Sequence, residues 1–299
     1  MKETKITYEQ ARREIQSMNL INGFLFNSVT EKEADACYIV KTIISRVLGK
    51  QISDIKVTTE KTYNGIDTKY HGIRFDAQIT PSKENDQIYA TVYDLEIEDR
   101  EADRQSLPKR QRYYSAIYDN KLLQSGEDYS VLPEYISITI ASYDPFLQGD
   151  MYYEARSVLT THPNCEYNDG ITNIFLYANG QLNIPEGRGK KLQQLLQYML
   201  TGQKPSVTDQ EIETIDKLVT KVKAKKEVTT NYMKQWDRDR IIARDAALEA
   251  RQKDALVLIS FGSENNIPNS VIIQKLRNEF KYDDTTIKDL FEKAKVPMT

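Results

Sequence analysis

The 299-residue chain has few of the residues that build redox and zinc sites, and it contains no long apolar run. Its two cysteines, Cys37 and Cys165, are far apart and form no CxxC pair, which argues against a disulfide scaffold and a zinc ribbon. Its two histidines are too few for a histidine-rich metal site. No apolar stretch approaches the ~20 residues of a membrane span, and the polar N-terminus has no signal-peptide core. We therefore expect a cytoplasmic protein without membrane association.

Positive and negative charges are nearly balanced. The chain has 41 lysines and arginines and 44 aspartates and glutamates, for a formal net charge of −3. An overall basic field of the kind that attracts nucleic acid is therefore absent, although a local basic patch is compatible with this balance. Hydrophobic residues make up 39% and charged residues 28% of the chain, which is typical of a soluble globular protein. The length suits one large domain, or one domain with a smaller appendage.

Local patterns predict a mixed α/β region followed by helices. The predicted elements of the first region are helices at 8–18 and 31–48, strands at 53–62, 72–77 and 91–98, a helix at 108–123, strands at 135–141 and 173–178, and a helix at 191–200. Pro205 marks a boundary, so we predict one domain over 1–204 and a helical extension over 205–299. The elements predicted late in this extension are a long charged helix at 230–258 that ends near Gly262 and two short helices at 269–280 and 284–293.

The strand at 91–98 carries three carboxylates in one row, because alternation places Asp94, Glu96 and Glu98 on the same face. Asp76 lies in the preceding predicted strand. Two unit charges ~4 Å apart repel by ~4 kcal/mol at an effective dielectric near 20. Such a row is tolerated if it is hydrated, if a proton is shared, or if a cation is bound. The last alternative predicts a site for a hard metal ion.

The order helix, three strands, helix, strand resembles the core of the restriction-endonuclease-like fold. In that fold one acid ends the second strand, a second acid lies in the third strand, and a third residue follows two positions later; Asp76, Glu96 and Glu98 occupy these places. The chain thus resembles the PD-(D/E)XK phosphodiesterase superfamily and, more narrowly, the Rpn family of recombination-promoting nucleases, also called transposases. The resemblance covers about residues 17 to 200 and rests on Asn19-Leu-Ile-Asn-Gly-Phe-Leu-Phe26, Gly72-Ile-Arg-Phe-Asp76, Thr91-Val-Tyr-Asp-Leu-Glu96, Leu107-Pro-Lys-Arg-Gln-Arg-Tyr-Tyr114, Leu123-Gln-Ser-Gly-Glu-Asp-Tyr129 and Tyr143-Asp-Pro-Phe146.

The resemblance implies a mixed central sheet flanked by helices and the activity of a Mg²⁺-dependent DNA endonuclease, with Mn²⁺ as the alternative ion. It implies Asp76 and Glu96 as the metal ligands. Mg²⁺ prefers hard oxygen ligands, and a bound divalent ion neutralises the phosphodiester and activates a water. Glu98 stands where the superfamily often has lysine and the narrower family glutamine. Because a glutamate adds no positive charge and donates no proton, we expect it to assist the metal or to accept a hydrogen bond from the water.

Basic residues begin the helix that follows the acidic strand, namely Lys109, Arg110 and Arg112. In the resembled fold this helix lies near the site, so Arg112 is a candidate for phosphate contact. The alternative is that the three cations offset the acids just upstream on a solvated helix face.

Two other functions stay open at this stage. A catalytically degenerate protein with the same fold would bind DNA or another protein as a non-enzymatic module. A structural role is the second alternative, with the long charged helix forming the seam of a homodimer through the C-terminal helices.

Overall fold

A computed structural model describes residues 5–52, 55–63, 73–81 and 91–298. The chain divides into two compact units, of which the larger spans residues 9–229. The smaller unit comprises residues 230–298 with the N-terminal residues up to Tyr8. The predicted division after Lys204 falls within the larger unit. Among the described residues, no helix is both long enough and apolar enough to cross a membrane.

The described residues form helices before, between and after the strands of one sheet. The helices are α1 (Tyr8–Ser17), α2 (Gly23–Val29), α3 (Glu33–Leu48), α4 (Leu107–Leu122), α5 (Glu186–Thr201), α6 (Gln210–Lys223), α7 (Lys226–Glu264), α8 (Asn269–Asn278) and α9 (Asp284–Lys293). The strands are β1 (Ile55–Tyr63), β2 (Ile73–Pro81), β3 (Val92–Glu98), β4 (Tyr135–Ala141), β5 (Tyr152–Ala155) and β6 (Ile171–Tyr177).

The strands form a mixed sheet, which within the described residues has six strands in the order β1-β2-β3-β4-β6-β5. The first three strands are antiparallel, whereas β3, β4 and β6 run parallel. The short edge strand β5 pairs antiparallel with β6. The predicted α/β class with a mixed sheet and flanking helices is confirmed.

One face of the central strands is apolar and packs against helices. It is covered by α2, which contacts β3, while α3 contacts β1 and α5. Fully buried aliphatic and aromatic side chains fill this layer, among them Leu25, Phe26, Ile43, Leu95, Ile138, Ile140, Leu176 and Leu195. Burying each such side chain contributes about 1.5–3 kcal/mol, so this layer is the principal core of the larger unit.

The opposite face of the central strands is covered by α4 and is much more polar. A small hydrophobic cluster of Val92, Ile117, Tyr118 and Tyr135 joins α4 to the amino ends of β3 and β4. Towards the carboxyl ends of these strands, the interface between helix and sheet consists mainly of polar side chains. The carboxylates predicted on β3 lie in this interface.

The smaller unit has a separate core, in which the end of α7 packs against α8 and α9. Its buried members are Ala255, Ile259, Ile272, Leu276, Ile287, Leu290 and Phe291. The prediction that the long helix ends at Gly262 is wrong, because α7 continues to Glu264. A Cβ atom at Gly262 would lie 2.4 Å from Ile272 Cδ1, so the glycine permits close packing of α8 on α7. Upstream of this core, all side chains from residue 241 to residue 254 are exposed.

Candidate functional site

The three carboxylates of β3 are buried in the interface between the sheet and α4. Asp94, Glu96 and Glu98 are exposed by only 0%, 6% and 4%. In the parallel register with β4, Asp94 lies beside Ser137 and Glu96 beside Thr139. The predicted row therefore exists on one face of the strand, but it lies under a helix and not on a hydrated strand end.

The amino-terminal end of the row is closed by a tyrosine. Tyr135 donates a hydrogen bond from its hydroxyl to Asp94 Oδ2 at 2.8 Å, and both residues are buried. Burial raises the pKa of Tyr135 far above its ordinary value, and the charge of Asp94 raises it further. The phenol therefore stays protonated and acts as a donor to the carboxylate.

The carboxyl-terminal end of the row is held by an arginine of α4. Arg110 donates from Nη2 to Glu98 Oε2, and the backbone N–H of Arg100 donates to Glu98 Oε1 at 3.0 Å. Burial would lower the pKa of Arg110, but the charge of Glu98 and this hydrogen bond outweigh it, so the pKa is raised. Both Glu98 oxygens thus have protein partners, which leaves this predicted site residue little capacity to ligate a metal ion.

The other two predicted phosphate contacts lie on the outer side of α4. Lys109 and Arg112 are exposed and form no ion pair with any described residue. The inward side of this helix is occupied by Gln111, which is exposed by only 1%. Of the three predicted cations, the structure therefore brings Arg110 to the row and leaves Lys109 and Arg112 at the surface.

Asp76 lies in β2, whose backbone is described, but its side chain falls outside the described part of the structure. Ala77 of β2 pairs with Leu95 in the antiparallel register with β3. Continuing this register by one residue brings the backbone of Asp76 opposite that of Glu96. The side chains that are described contain no group of three or more His, Cys, Asp or Glu residues suited to a metal ion. In donor chemistry, Asp76 and Glu96 both supply the hard oxygens that Mg²⁺ prefers.

Two polar residues beside the row were missed by sequence reasoning. Gln111 donates from Nε2 to Thr139 Oγ1 at 3.0 Å, which places its amide next to the β4 neighbour of Glu96. Tyr143, exposed by 8%, follows the end of β4; burial raises its pKa to about 12, with a further contribution from the charge of Glu98. Gln111 follows Leu107 by four residues, so helical spacing places both side chains on the same side of α4. Tyr143 follows the last residue of β4 by two, so it continues the alternation of the strand on the face that carries the row.

The loop after β4 is organised by one carboxylate. Asp144 accepts hydrogen bonds from the backbone N–H groups of Phe146, Leu147 and Gly149 at 2.6–3.0 Å, and from the Tyr153 hydroxyl at 2.9 Å. Burial favours the neutral acid, but these donors outweigh it and hold the pKa of Asp144 below its ordinary value. The loop that carries Tyr143 is thereby fixed at the carboxyl edge of the sheet.

A cavity of about 590 Å³ lies at the other end of the sheet, near the amino ends of β4 and β6. Its lining includes Lys50, Glu134, Arg156 and Asp169 and contains no residue of the carboxylate row. This cavity is therefore distinct from the β3 site.

No family model, curated protein or solved structure matches this chain.

Proposed function

We propose that the protein is a Mg²⁺-dependent DNA endonuclease with a restriction-endonuclease-like core. The observation that carries this proposal is the antiparallel register of β2 and β3, in which Ala77 pairs with Leu95. Extended by one residue, this register would set Asp76 opposite Glu96. Residues directly opposite each other in an antiparallel pair have Cβ atoms about 4.5–5.5 Å apart. Two carboxylates whose Cβ atoms have this separation can bind one divalent ion between them. The order of α3, β1–β3, α4 and β4 supports the same fold assignment.

Asp76 and Glu96 would hold the ion, which when bound neutralises phosphate charge and lowers the pKa of water. In the hydrolysis, the oxygen of water bonds to phosphorus, the bond to the leaving ester oxygen breaks, and one proton of that water is transferred to the leaving oxygen. Glu98 holds Arg110 at the end of the row, so the guanidinium places a positive charge beside Glu96. This charge offsets part of the repulsion among the buried carboxylates.

The exposed face of α4 supports contact with a nucleic-acid backbone. Lys109 and Arg112 have no ion pair among the described residues, so their charges are available to phosphate groups. The resemblance to the recombination-promoting nucleases favours DNA as the polymer. Such contacts would hold the duplex on the outer side of α4 without reading its sequence.

The decisive experiment is cleavage of supercoiled plasmid DNA by the full chain with Mg²⁺ or Mn²⁺. We expect Asp76→Asn and Glu96→Gln each to lower the cleavage rate by about 100-fold or more, because each removes a charged group that acts on the transition state. Both variants should also weaken Mn²⁺ binding in titration calorimetry. Glu101→Gln is the matched control, since Glu101 is exposed and pairs with neighbouring Arg104. An inactive wild-type protein, or active Asp76 and Glu96 variants, would contradict the proposal.

A second candidate is a nuclease-like protein that has lost catalysis and binds DNA or another protein. The burial of Glu96 and Glu98 beneath α4 favours this candidate, because a substrate phosphate must reach Glu96 past the helix. Fluorescence anisotropy with a DNA duplex separates the two candidates when cleavage is absent. The double variant Lys109→Ala/Arg112→Ala should then weaken binding, whereas Lys121→Ala at the far end of α4 should not.

A further inference from the structure

The loop after β4 presents two apolar side chains to solvent at its tip, residues 146–148. Leu147 is 66% exposed and Phe146 is 37% exposed, and Gln148, which follows them, is exposed and uncharged. The one carboxylate among residues 144–148, that of Asp144, accepts three hydrogen bonds from the loop backbone and one from Tyr153. The tip itself is therefore apolar and uncharged.

The backbone of Leu147 is strained in a way that packing of its side chain does not explain. Its φ of 58° lies in the left-handed region, where the Cβ atom crowds the following carbonyl oxygen. The other described non-glycine residues with positive φ, Asn266, Lys281 and Lys295, follow the ends of helices, where this conformation is common. Leu147 lies in a loop, and its side chain is exposed. Because such strain is concentrated at functional sites, the leucine is a candidate contact for another molecule.

Phe146 holds the tip against the sheet. Its ring contacts Phe175 of β6 and Tyr153 of β5 edge to face, and both pairs of ring centroids are 5.1 Å apart. The Tyr153 hydroxyl also donates to Asp144 at 2.9 Å. The backbone that carries Leu147 is thus fixed before any partner binds, which reduces the entropy cost of binding.

The tip lies on the same face of the sheet as the carboxylate row. The parallel register pairs Glu96 with Thr139 of β4, and Thr139 with Phe175 of β6. Residues paired in this way direct their side chains to the same face. Neighbouring strands are about 4.8 Å apart, so the backbone of Phe175 lies about 10 Å from that of Glu96. Phe146, which packs on Phe175, therefore lies at the edge of the candidate site.

We propose that Leu147 is a wedge that inserts between stacked bases of the DNA bound at this site, with Phe146 supporting it from behind. The identity of the polymer rests on the proposed nuclease function. Leucine, phenylalanine and methionine side chains open base steps in this way, and the duplex bends at the opened step. With a rise of about 3.4 Å per base pair, a wedge about 10 Å from Glu96 meets the duplex about three base pairs from the scissile phosphate.

Such a wedge compensates for the burial of the row. Glu96 is buried beneath α4, and a straight duplex, which is stiff over this length, does not follow a recessed surface. Opening one base step allows the backbone to bend towards the row. We therefore expect the protein to bind most tightly at pyrimidine–purine steps such as TA, because these steps open most easily.

The test uses the full chain carrying Glu96→Gln, so that the DNA stays intact, and a duplex with 2-aminopurine beside a central TA step. The fluorescence of this base rises when it is unstacked. Leu147→Gly removes only the exposed side chain, and glycine adopts a positive φ without strain, so the loop should stay folded. We expect Leu147→Gly to lose most of the fluorescence increase and to bind about 5- to 50-fold more weakly. Leu147→Met, which keeps an apolar wedge, should retain both.

Val207→Gly is the matched control, because Val207 is 69% exposed and lies before α6 in the same compact unit. It should change neither the fluorescence nor the affinity. In thermal unfolding, Leu147→Gly should be at least as stable as Val207→Gly, because both carry the entropic effect of glycine and only Leu147→Gly relieves strain. A loss of affinity together with a lower stability than that of Val207→Gly would assign Leu147 a structural role and overturn the inference.

The two proposals can fail separately. If the wild-type protein cleaves plasmid DNA and Leu147→Gly leaves fluorescence and affinity unchanged, the wedge alone is contradicted. If the protein binds DNA through Leu147 but the wild type does not cleave it, the nuclease proposal alone is contradicted. If Leu147→Gly converts a dimer to a monomer in light scattering and DNA binding is unchanged, the tip contacts a second copy and the wedge is wrong. Absence of any DNA binding overturns both proposals.

Discussion

At the residue scale, the contact between Tyr135 and Asp94 shows how this fold accommodates a buried carboxylate. The phenol donates to the acid at 2.8 Å, and its ring contacts Tyr118 of α4 with centroids 5.6 Å apart. One side chain thus satisfies a carboxylate oxygen and joins the helix to the sheet. Asp94 belongs to the predicted row, but this contact gives it a structural role distinct from that proposed for Glu96.

Tyr135→Phe should lower the free energy of unfolding by about 1–3 kcal/mol, because a hydrogen bond to a buried carboxylate is lost while the ring packing remains. Urea denaturation followed by circular dichroism measures this change. Tyr129→Phe is the control, since Tyr129 is exposed and should change stability by less than about 0.5 kcal/mol. Equal stability of the two variants would show that the Tyr135 hydroxyl contributes nothing.

The residues of the site differed in how far the sequence could predict them. A period of two was sufficient to place Asp94, Glu96 and Glu98 in one row, because alternation is a local property of a strand. Which of Arg110 and Arg112 contacts the row could not be predicted from local sequence. Successive helical residues point about 100° apart, so the cation that meets the row depends on the rotation of α4, which tertiary packing sets.

At the scale of elements, a buried arginine joins α3 to the start of α6 within the larger unit. Arg46 of α3 binds Asp209 at 2.7 Å and Glu211 at 2.6 Å, and it donates to the Lys191 carbonyl at 2.8 Å. Asp209 also caps α6 by accepting from the backbone N–H groups of Glu211 and Ile212. Residues 205–229 therefore remain part of the larger unit.

This attachment should weaken in acid. Burial alone would raise the pKa of Asp209, but hydrogen bonds from Arg46 and the α6 backbone hold it below its ordinary value. Because the folded pKa is lower than the unfolded value of about 3.9, the stabilisation is complete above pH ~4 and is lost as pH falls through the folded pKa. The free energy of unfolding, measured in urea, should therefore fall more steeply below pH 4 for the wild-type protein than for Asp209→Asn.

At pH 7, Asp209→Asn should cost about 1–2 kcal/mol, because Arg46 loses one charged partner but keeps Glu211, and asparagine can still cap α6. Glu213→Gln provides the comparison within the same helix, because Glu213 pairs with the partly exposed Lys204. That substitution should cost less than about 1 kcal/mol. Parallel pH profiles for Asp209→Asn and the wild-type protein would contradict the role of Asp209.

Most elements were predictable because their periodicity is local, and the exceptions have physical reasons. The strand predicted at 135–141 matches β4, and the helix predicted at 108–123 matches α4 within one residue at each end. The edge strand β5 was missed because it has only four residues, none of them buried. Gly262 was read as a helix end, but its small size serves packing against Ile272.

At the scale of the whole molecule, the two compact units have separate cores, and α7 contains a stretch without buried side chains. Every side chain from 241 to 254 is exposed, whereas Ala255 and Ile259 are buried. An isolated helix of this length is marginal in water, so the stretch depends on its continuity with the packed end.

Backbone amides of 241–254 should exchange with solvent at least about tenfold faster than those of 255–262 in the same helix, because local opening there disrupts no core. Hydrogen–deuterium exchange with mass spectrometry measures both segments in one experiment. Uniform protection along α7 would instead show that another molecule or a second copy covers the exposed stretch.

The parallel pairing of β3 with β4 also affects how the chain assembles during synthesis. The ribosome releases β3 before it has made either α4, which covers the acids, or β4, which lies beside them. In that interval Asp94, Glu96 and Glu98 are in contact with water. Docking of α4 is therefore the step that removes water from the acids. The same helix carries Arg110, so the ion pair with Glu98 forms in the same step.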